Sequence, residues 1–307
     1  MYNKPAHTLL IIGNGFDLDL GLSTKYSDFR NSPEWQALNN KFKELYKQWY
    51  SEGTIEDSFL TRLNVEGWSD VEEEIGKYVS RHQNPNRALV GLVREQHKAF
   101  KKYFMDYLQR VAITDNVNKQ SLAKDIIHRL CHSQCVAQIC TFNYTNIIHL
   151  CGCTQKENVQ VRAVHGSLDQ GEIIVGCRAK CNQKENEVWY FLYKSYERPK
   201  SIVHDGTSIS FETEIIFFGH SLNEMDACYF EDLFHLRHQN VHEKHLTIVC
   251  KNEEDEFKIR NNICKWTDDT SFYSAWNVQF LHTQGWYEKN EDDTKVCLDL
   301  CKRLNIL

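Results

Sequence analysis

The chain has 307 residues, of which 41% are hydrophobic, 25% charged and 12% aromatic, and this composition is typical of a soluble globular protein. The formal net charge of −6 gives no broad basic footprint, so nucleic acid is not expected as a partner. Apolar runs such as Leu9–Ile12 hold four residues, against about 20 for a membrane helix. With no membrane span and no signal-peptide pattern, the expected location is the cytoplasm.

Seven short, β-rich apolar segments predict strands, and helical patterns separate them. Several are nearly continuous apolar runs, which is typical of strands buried on both faces of a parallel sheet. The prediction is an α/β fold with a Rossmann-like, doubly wound parallel sheet. The predicted strands are Thr8–Ile12, Val136–Phe142, Val159–His165, Glu172–Val175, Glu214–Phe218, Leu246–Cys250 and Val278–Leu281.

Helix start signals mark the segments between the strands. Ser32 followed by Pro33 predicts a helix with serine as its N-cap and proline in its first position. Ser69 and Glu72 have the spacing of a capping box. Further helices are predicted over about 87–111, 119–132 and 224–240.

The whole chain, residues 1–307, is interpreted as one α/β domain with two additions. Residues 31–133 carry helical patterns without a clear strand, which indicates a helical insertion after the first strand. Residues 178–213 are polar and irregular, which indicates a long loop or a small subdomain.

The cysteine count of twelve is high for a chain of this length. Several cysteines, among them Cys140 and Cys250, lie inside apolar runs. Free cysteine is one of the most buried residue types, and a disulfide framework is usual in short exported chains. We therefore expect reduced, buried thiols.

The first predicted strand runs into the glycine turn Gly13-Asn14-Gly15. Glycines there let the backbone approach a ligand, and the amides of a following helix can hold phosphate. Leu18 stands where the dinucleotide fingerprint has its third glycine, and no Gly-Lys-Ser/Thr follows, which excludes a phosphate loop of the NTPase kind. A tight turn without a ligand remains an alternative.

Five blocks of residues, in order along the chain, together resemble the abortive-infection AbiH family of bacterial anti-phage proteins. The family name describes a phenotype, so the resemblance implies an anti-phage role without naming a reaction. The blocks are Leu9–Arg30, Trp68–Glu72, Phe142–Asn146, His165–Leu168 and Gly219–Asp226.

The same loop motifs are more distantly similar to those of sirtuin-type NAD-binding proteins. This resemblance implies that His165 is the base of the reaction and that Asn143 orients the ribose or the attacking water. It also implies contacts to the pyrophosphate, the nicotinamide side and the adenosine ribose. The residues implied in NAD binding are Gly13, Asn14, Gly15, Asp17, Phe29, Arg30, Gly219 and Ser221.

Departures from the sirtuin pattern favour NAD hydrolysis over deacylation. Sirtuins have Asp two residues after the asparagine, where this chain has Thr145, and Phe142 replaces a usual polar residue. The four-cysteine zinc module is missing, because no pair of Cys-x-x-Cys motifs follows the His-Gly motif, and the nearest two cysteines, Cys177 and Cys181, are spaced Cys-x-x-x-Cys.

Each candidate residue also has a purely structural alternative. His165 can end a strand and bond a neighbouring carbonyl, and Asn143 can satisfy its own turn. Asp17, with Asp19, can be a helix N-terminal carboxylate, and Ser221 with Asp226 can cap a helix. Glu72 is favoured as a capping-box residue over a catalytic acid.

Two candidate metal sites are weighed, and no metal is predicted. Four histidines would form one stripe on an uninterrupted helix and could bind zinc or nickel, but Asn240 can stop that helix. A cysteine set is the second candidate. The two groups are His235, His238, His242 and His245, and Cys151, Cys153, Cys177 and Cys181.

The leading functional hypothesis is an anti-phage effector that binds NAD, or a related nucleotide, and hydrolyses its nicotinamide–ribose bond. The alternative is a non-catalytic nucleotide-binding sensor for a partner effector. A nuclease is less favoured because of the acidic charge, and a housekeeping enzyme of the same fold remains open. A homo-oligomer is a further hypothesis, since such an effector must stay silent before infection.

Overall fold

The computed structural model describes residues 7–49, 63, 68–133, 136–178, 187–194, 214–230, 245–267 and 277–304. Two compact units are present. The sheet unit comprises Met1–Leu22, Ile113–Ser167 and Lys200–Leu307, and the helical unit comprises Ser23–Ala112 and Leu168–Pro199. Segment 31–133 is thus divided between the units after residue 112. Of segment 178–213, only 178 and 187–194 lie within the described residues.

The central sheet has six strands, all parallel, in the order β3-β2-β1-β6-β7-β8. When these six strands are renumbered from 1 to 6 along the chain, leaving out β4 and β5, the order becomes 3-2-1-4-5-6, which is the Rossmann order. This confirms the predicted fold class. In chain order the strands are β1 (His7–Ile12), β2 (Val136–Thr141), β3 (Val159–Ala163), β4 (Gly166–Ser167), β5 (Glu172–Ile173), β6 (Glu214–Phe218), β7 (His245–Cys250) and β8 (Asn277–His282).

Burial on both faces explains the apolar runs of the inner strands. All five residues of β6 are buried, and Leu9–Ile12 of β1 are at most 1% exposed. The prediction that Glu172–Val175 belongs to this sheet is wrong. Only Glu172–Ile173 is a strand, and it lies in the helical unit, where the Val175 carbonyl binds His97 Nε2.

Ten α-helices lie in the described ranges, and the predicted helix at 87–111 is confirmed. The Ser32 N-cap is also confirmed, because Ser32 Oγ accepts from the Trp35 amide at 3.2 Å. The helices are α1 (Asn14–Asp19), α2 (Tyr26–Arg30), α3 (Pro33–Trp49), α4 (Trp68–Arg81), α5 (Arg87–Val111), α6 (Leu122–His132), α7 (Ile147–Leu150), α8 (Glu253–Thr267), α9 (Thr283–Tyr287) and α10 (Glu291–Arg303).

Three helix boundaries differ from the predictions. Helix α4 begins at Trp68, so Ser69 lies inside it and is not its N-cap. Helix α6 begins at Leu122 rather than at 119, because Ser121 Oγ accepts from the Lys124 amide and caps it. Segment 224–240 begins as a 3₁₀ helix, Glu224–Tyr229, and its residues 231–240 lie outside the described residues.

The helical unit has a core of aromatic rings supplied by α2, α3 and α5. Phe29 is fully buried, and its ring centroid lies 5.1 to 5.8 Å from those of its neighbours. Edge-to-face and tilted contacts at these distances are favourable. The neighbouring rings are Trp35, Phe100, Phe104 and Tyr107.

Two expectations from the composition are met in the described part of the chain. Nine cysteines have described side chains; all nine are free thiols, and seven of them are buried. No described helix combines the length and apolar character that crossing a membrane requires.

Candidate functional site

The candidate site lies at the carboxyl edge of the sheet, where the strand order reverses beside β1. Strands β1 and β6 are neighbours there, with Ile12 opposite Phe218. In open α/β sheets, ligands bind at such a reversal. The loops that follow the two strands are joined by backbone hydrogen bonds: Gly13 N donates to Phe218 O at 3.0 Å, and Gly15 N donates to Gly219 O at 2.9 Å.

The glycines of these loops are required by their contact with each other. Gly219 has a φ of +63°, and a Cβ on it would lie 2.4 Å from Gly15 C. A Cβ on Gly15 would lie 2.6 Å from Gly219 Cα, and one on Gly13 would lie 2.6 Å from His220 Cα. The close approach therefore explains Gly13, Gly15 and Gly219 without a ligand, and their contact with a pyrophosphate stays a prediction.

Asp17 is the centre of a buried polar cluster formed by α1 and the loop after β2. Its carboxylate accepts from Asn143 Nδ2 at 2.8 Å and from Thr145 Oγ1 at 2.9 and 3.0 Å. Asp17 is 2% exposed and lies in the first turn of α1. The chain separation of 126 residues between Asp17 and Asn143 is closed by the pairing of β1 with β2.

Burial raises the pKa of Asp17 to about 7, and the hydrogen bonds from Thr145 and Asn143 oppose that rise. The two donors that the structure gives this carboxylate are neutral, so they replace water without neutralising its charge. Asp17 therefore exchanges a proton close to neutral pH, as an acid–base group does.

The side chain of Asn143 is committed to holding this cluster. Its Nδ2 group donates to Gly13 O at 3.1 Å as well as to Asp17 Oδ1. Both amide hydrogens are therefore used, and the Oδ1 atom is the group that Asn143 can offer a ligand. Its bonds run to distant residues, which differs from the alternative in which it satisfies its own turn.

A second cluster surrounds His165, which follows β3. His165 Nε2 lies 3.2 Å from the Tyr229 hydroxyl and 3.8 Å from Asp226 Oδ1. Asp226 Oδ2 in turn lies 3.5 Å from His220 Nε2. All four side chains are buried. His165 Nε2 thus faces a hydroxyl and a carboxylate.

Phe142 and Asn143, adjacent in the chain, each contact one of the two clusters. The Phe142 ring packs edge-on against the His165 ring at 5.0 Å and against the His220 ring at 4.6 Å, while Asn143 binds Asp17. Phe142 therefore provides an apolar contact for both imidazole rings.

The loops described above fall within a stretch that can be compared with known families. A family model described as "Bacteriophage abortive infection AbiH" matches residues 9–249, well over half of the chain. The chain belongs to the AbiH family. The family suggests a role in phage abortive infection. No curated protein matches the chain.

Part of this AbiH protein lies beyond the matched range and yet supports the site. The Tyr287 hydroxyl of α9 donates to Asp19 Oδ1 at 2.8 Å and accepts from Leu122 N at 3.0 Å. Asp19 Oδ2 also accepts from Ala123 N. These bonds fix the end of α1, the helix that carries Asp17. Burial raises the pKa of Asp19.

Four of the residues predicted from the sequence lie outside both the two clusters and the contact of the glycine loops. Asn14 is the first residue of α1 and is half-buried. Ser221 is exposed and accepts from Asn223 Nδ2 at 3.2 Å. Phe29 and Arg30 belong to the helical unit of the AbiH chain, where Arg30 lies over the Trp35 ring at 5.9 Å. Their contacts with a nucleotide stay predictions.

Glu72 forms a buried ion pair in the helical unit. Its carboxylate lies 2.7 Å from Lys194 Nζ, and the two side chains are 11% and 4% exposed. The capping-box interpretation of Glu72 takes Ser69 as the residue before the helix, whereas α4 begins at Trp68.

The metal alternatives receive no support from the described residues. Within these residues, no group of three or more His, Cys, Asp or Glu side chains could hold a metal ion. His235, His238, His242 and Cys181 lie outside the described residues. His245 begins β7, and its Nδ1 lies 2.9 Å from Asn277 Nδ2.

Sequence reasoning missed Thr145 and Tyr229 and gave Asp226 and His220 no role in the site. In the sequence, Thr145 stands where the sirtuin pattern has an Asp. In the structure, the Thr145 hydroxyl donates to the carboxylate of Asp17. Asp226 and His220 lie in the AbiH block after β6, and their place after a strand was an available signal. Nothing in the sequence marks Tyr229.

Proposed function

We propose that the chain is an anti-phage effector that binds NAD, or a related nucleotide, at the carboxyl edge of its sheet and hydrolyses the nicotinamide–ribose bond. One observation carries the proposal: Asp17, Asn143 and His165 follow β1, β2 and β3 and form two buried polar clusters joined by Phe142–Asn143. The likeness of the motifs to those of sirtuin-type proteins supports NAD as the substrate.

The residue types suit cleavage of an N-glycosidic bond. Water attacks C1′ of the ribose, the bond to nicotinamide breaks, and nicotinamide leaves with the electron pair. The proton of the attacking water goes to His165, because an imidazole is the side chain best suited to take a proton near neutral pH. The products are ADP-ribose, nicotinamide and one proton.

Charge in the site favours the transition state of this reaction. Positive charge builds on the ribose as the bond breaks, and buried anions stabilise it more strongly than solvated ones. Asp226 is a buried carboxylate of the second cluster, and Asp17, with its pKa raised to about 7, is ionised in part at neutral pH. Asn143 Oδ1 is a further acceptor for a ribose hydroxyl or the attacking water.

The test is nicotinamide release from NAD by the purified full chain, measured by chromatography with and without lysate of phage-infected cells. We expect His165→Ala to lower release by at least about 100-fold, the usual contribution of a general base. His128→Ala is the matched control, because His128 is an exposed histidine of the same unit. Absence of release by the wild type under every condition contradicts the proposal.

A second candidate is a non-catalytic nucleotide-binding sensor that acts through a partner effector. Two observations favour it: both amide hydrogens of Asn143 are used within the protein, and the two glycine loops contact each other directly. Both leave fewer polar groups that could bind and orient a substrate. Calorimetry with NAD and with ADP-ribose separates the candidates. Binding without release in any condition favours the sensor.

A further inference from the structure

Asp226 lies between two imidazole rings. Its Oδ2 is 3.5 Å from His220 Nε2, and its Oδ1 is 3.8 Å from His165 Nε2. Asp226 is 7% exposed, and both histidines are 4% exposed. A buried carboxylate is costly unless donors or cations face it, so the protonation of the two rings decides what this carboxylate does.

His220 is fixed in its neutral form by the backbone. The Leu222 amide donates to His220 Nδ1 at 3.0 Å, so this nitrogen is an acceptor and carries no proton. The ring proton is then on Nε2, the atom that faces Asp226. A second proton on His220 would require the loss of the bond from Leu222.

Of the two rings beside Asp226, His165 is therefore the one that can take a second proton and become a cation. Among the described residues, the groups that face it include Asp226 and Tyr229 of the 3₁₀ segment, and the edge of Phe142 from the end of β2. The Tyr229 hydroxyl holds the same Nε2 atom at 3.2 Å. The Asp226 carboxylate near Nε2 stabilises a positive charge on the imidazole, and the Tyr229 hydroxyl orients the ring in either protonation state.

We propose that Asp226 is a positioning residue that orients His165 and compensates the positive charge its ring acquires on taking a proton. The inference rests on the proposed function for the identity of the proton donor. The proton passes from water, or from a ribose hydroxyl, to the His165 ring, and Asp226 stays ionised throughout. His220 contributes its neutral N–H, which keeps Asp226 in place between the rings.

The experiment follows the histidine rings of the full chain by NMR as pH is varied, with the His Cε1 carbons labelled and the His165 signal assigned by its loss in His165→Gln. We expect Asp226→Asn to lower the pH at which His165 titrates by about one unit or more. Glu224→Gln is the matched control, because it removes the same charge from an exposed position of the same 3₁₀ segment. It should leave the midpoint unchanged.

The wild type supplies a second readout that does not depend on a folded variant. Ring nitrogen shifts should show His220 neutral, with its proton on Nε2, between pH 5 and 8. An unchanged His165 midpoint in Asp226→Asn overturns the proposal, and so does a His220 ring that takes up a second proton in this range.

These measurements need no substrate, so they separate this inference from the proposed function. If nicotinamide release is absent but the His165 midpoint moves, the hydrolase proposal fails and the role of Asp226 in charging His165 stands. If release is present, the acidic limb of kcat/KM against pH should move to lower pH in Asp226→Asn, in step with the NMR midpoint.

Discussion

Asn143 Nδ2 donates to Asp17 Oδ1 at 2.8 Å, across 126 residues of chain, and thereby ties the loop after β2 to the helix after β1. The same amide binds Gly13 O. One side chain thus fixes the carboxylate and the glycine turn together. Substitution of Asn143 is expected to disturb the geometry as well as any chemistry, which makes His165 the clearer position for an activity test.

The raised pKa of Asp17 predicts that the free energy of unfolding falls as pH rises. Its folded pKa of about 7 lies above the ordinary value of 3.8, so the folded state binds more protons than the unfolded state between these values. The free energy of unfolding should therefore decrease from about pH 4 to about pH 7. For a shift of about 3 pKa units, at about 1.4 kcal/mol per unit, the decrease is at most about 4 kcal/mol.

Asp17→Asn should remove this decrease, because the amide has no proton to lose. Urea unfolding at pH 5, 6, 7 and 8 measures it, with the exposed Asp115→Asn as control. A variant whose pH dependence equals that of the wild type would show that Asp17 does not titrate as described.

Gly219→Ala should destabilise the sheet unit through the contact of the two glycine loops. The φ of +63° costs an alanine about 1 to 2 kcal/mol, and the Cβ would also lie 2.4 Å from Gly15 C and Phe16 N. The overlap should add about 1 to 3 kcal/mol.

Gly152→Ala isolates the steric part of this loss. Gly152 has a similar φ of +69°, lies in the same unit, and has nothing within 4 Å of an added Cβ. Denaturant unfolding of both variants should show the larger loss for Gly219→Ala. Equal losses would mean that the loops separate easily.

The buried Glu72–Lys194 pair should be strongly coupled. Lys194→Met removes the cation 2.7 Å from a buried carboxylate, and we expect a loss of about 3 to 5 kcal/mol. Combining it with Glu72→Gln should recover much of that loss, because no buried charge remains.

A double-mutant cycle by denaturant unfolding measures this coupling. Lys77→Met on the same helix α4 is the control, because Lys77 pairs with Glu73 and Glu74 at an exposed position and should matter little. Additive effects of the Glu72 and Lys194 substitutions would contradict the coupling.

The lowered pKa of His97 predicts that the protein loses stability as pH falls, whereas the raised pKa of Asp17 predicts a loss as pH rises. Burial lowers its pKa from 6.5 to about 4, and its Nε2 binds the Val175 carbonyl at 2.7 Å. The unfolded state binds more protons between these values, so the free energy of unfolding falls as pH drops from about 6.5 to about 4.

His97→Gln keeps a donor for Val175 O and removes the titration, so hydrogen exchange near Val175 should become less sensitive to acid. The exposed His128→Gln should leave that sensitivity as it is. An unchanged response in His97→Gln would contradict a neutral, buried His97.

Local signals in the sequence predicted much of the fold correctly. Correct predictions include the apolar runs of β1 and β6, the Ser32 cap and the helix at 87–111. Each of these features depends on residues that are close together in the chain. Local rules failed where tertiary contacts compete. The Val175 carbonyl binds His97 Nε2, and Glu172–Val175 is not part of the central sheet. Glu224–Tyr229 is a 3₁₀ helix, and residues 231–240 of the predicted helix lie outside the described residues.

Local patterns of residues were enough to predict most of the strands and to select Asp17, Asn143 and His165 at or just beyond the ends of strands. The contacts of Thr145 with Asp17 and of Asp226 with His165 appear only in the folded chain. Strand order and register bring these residues together over 128 and 61 positions of chain, and no local pattern encodes such distances. The burial that shifts the pKa of Asp17 arises from that same packing.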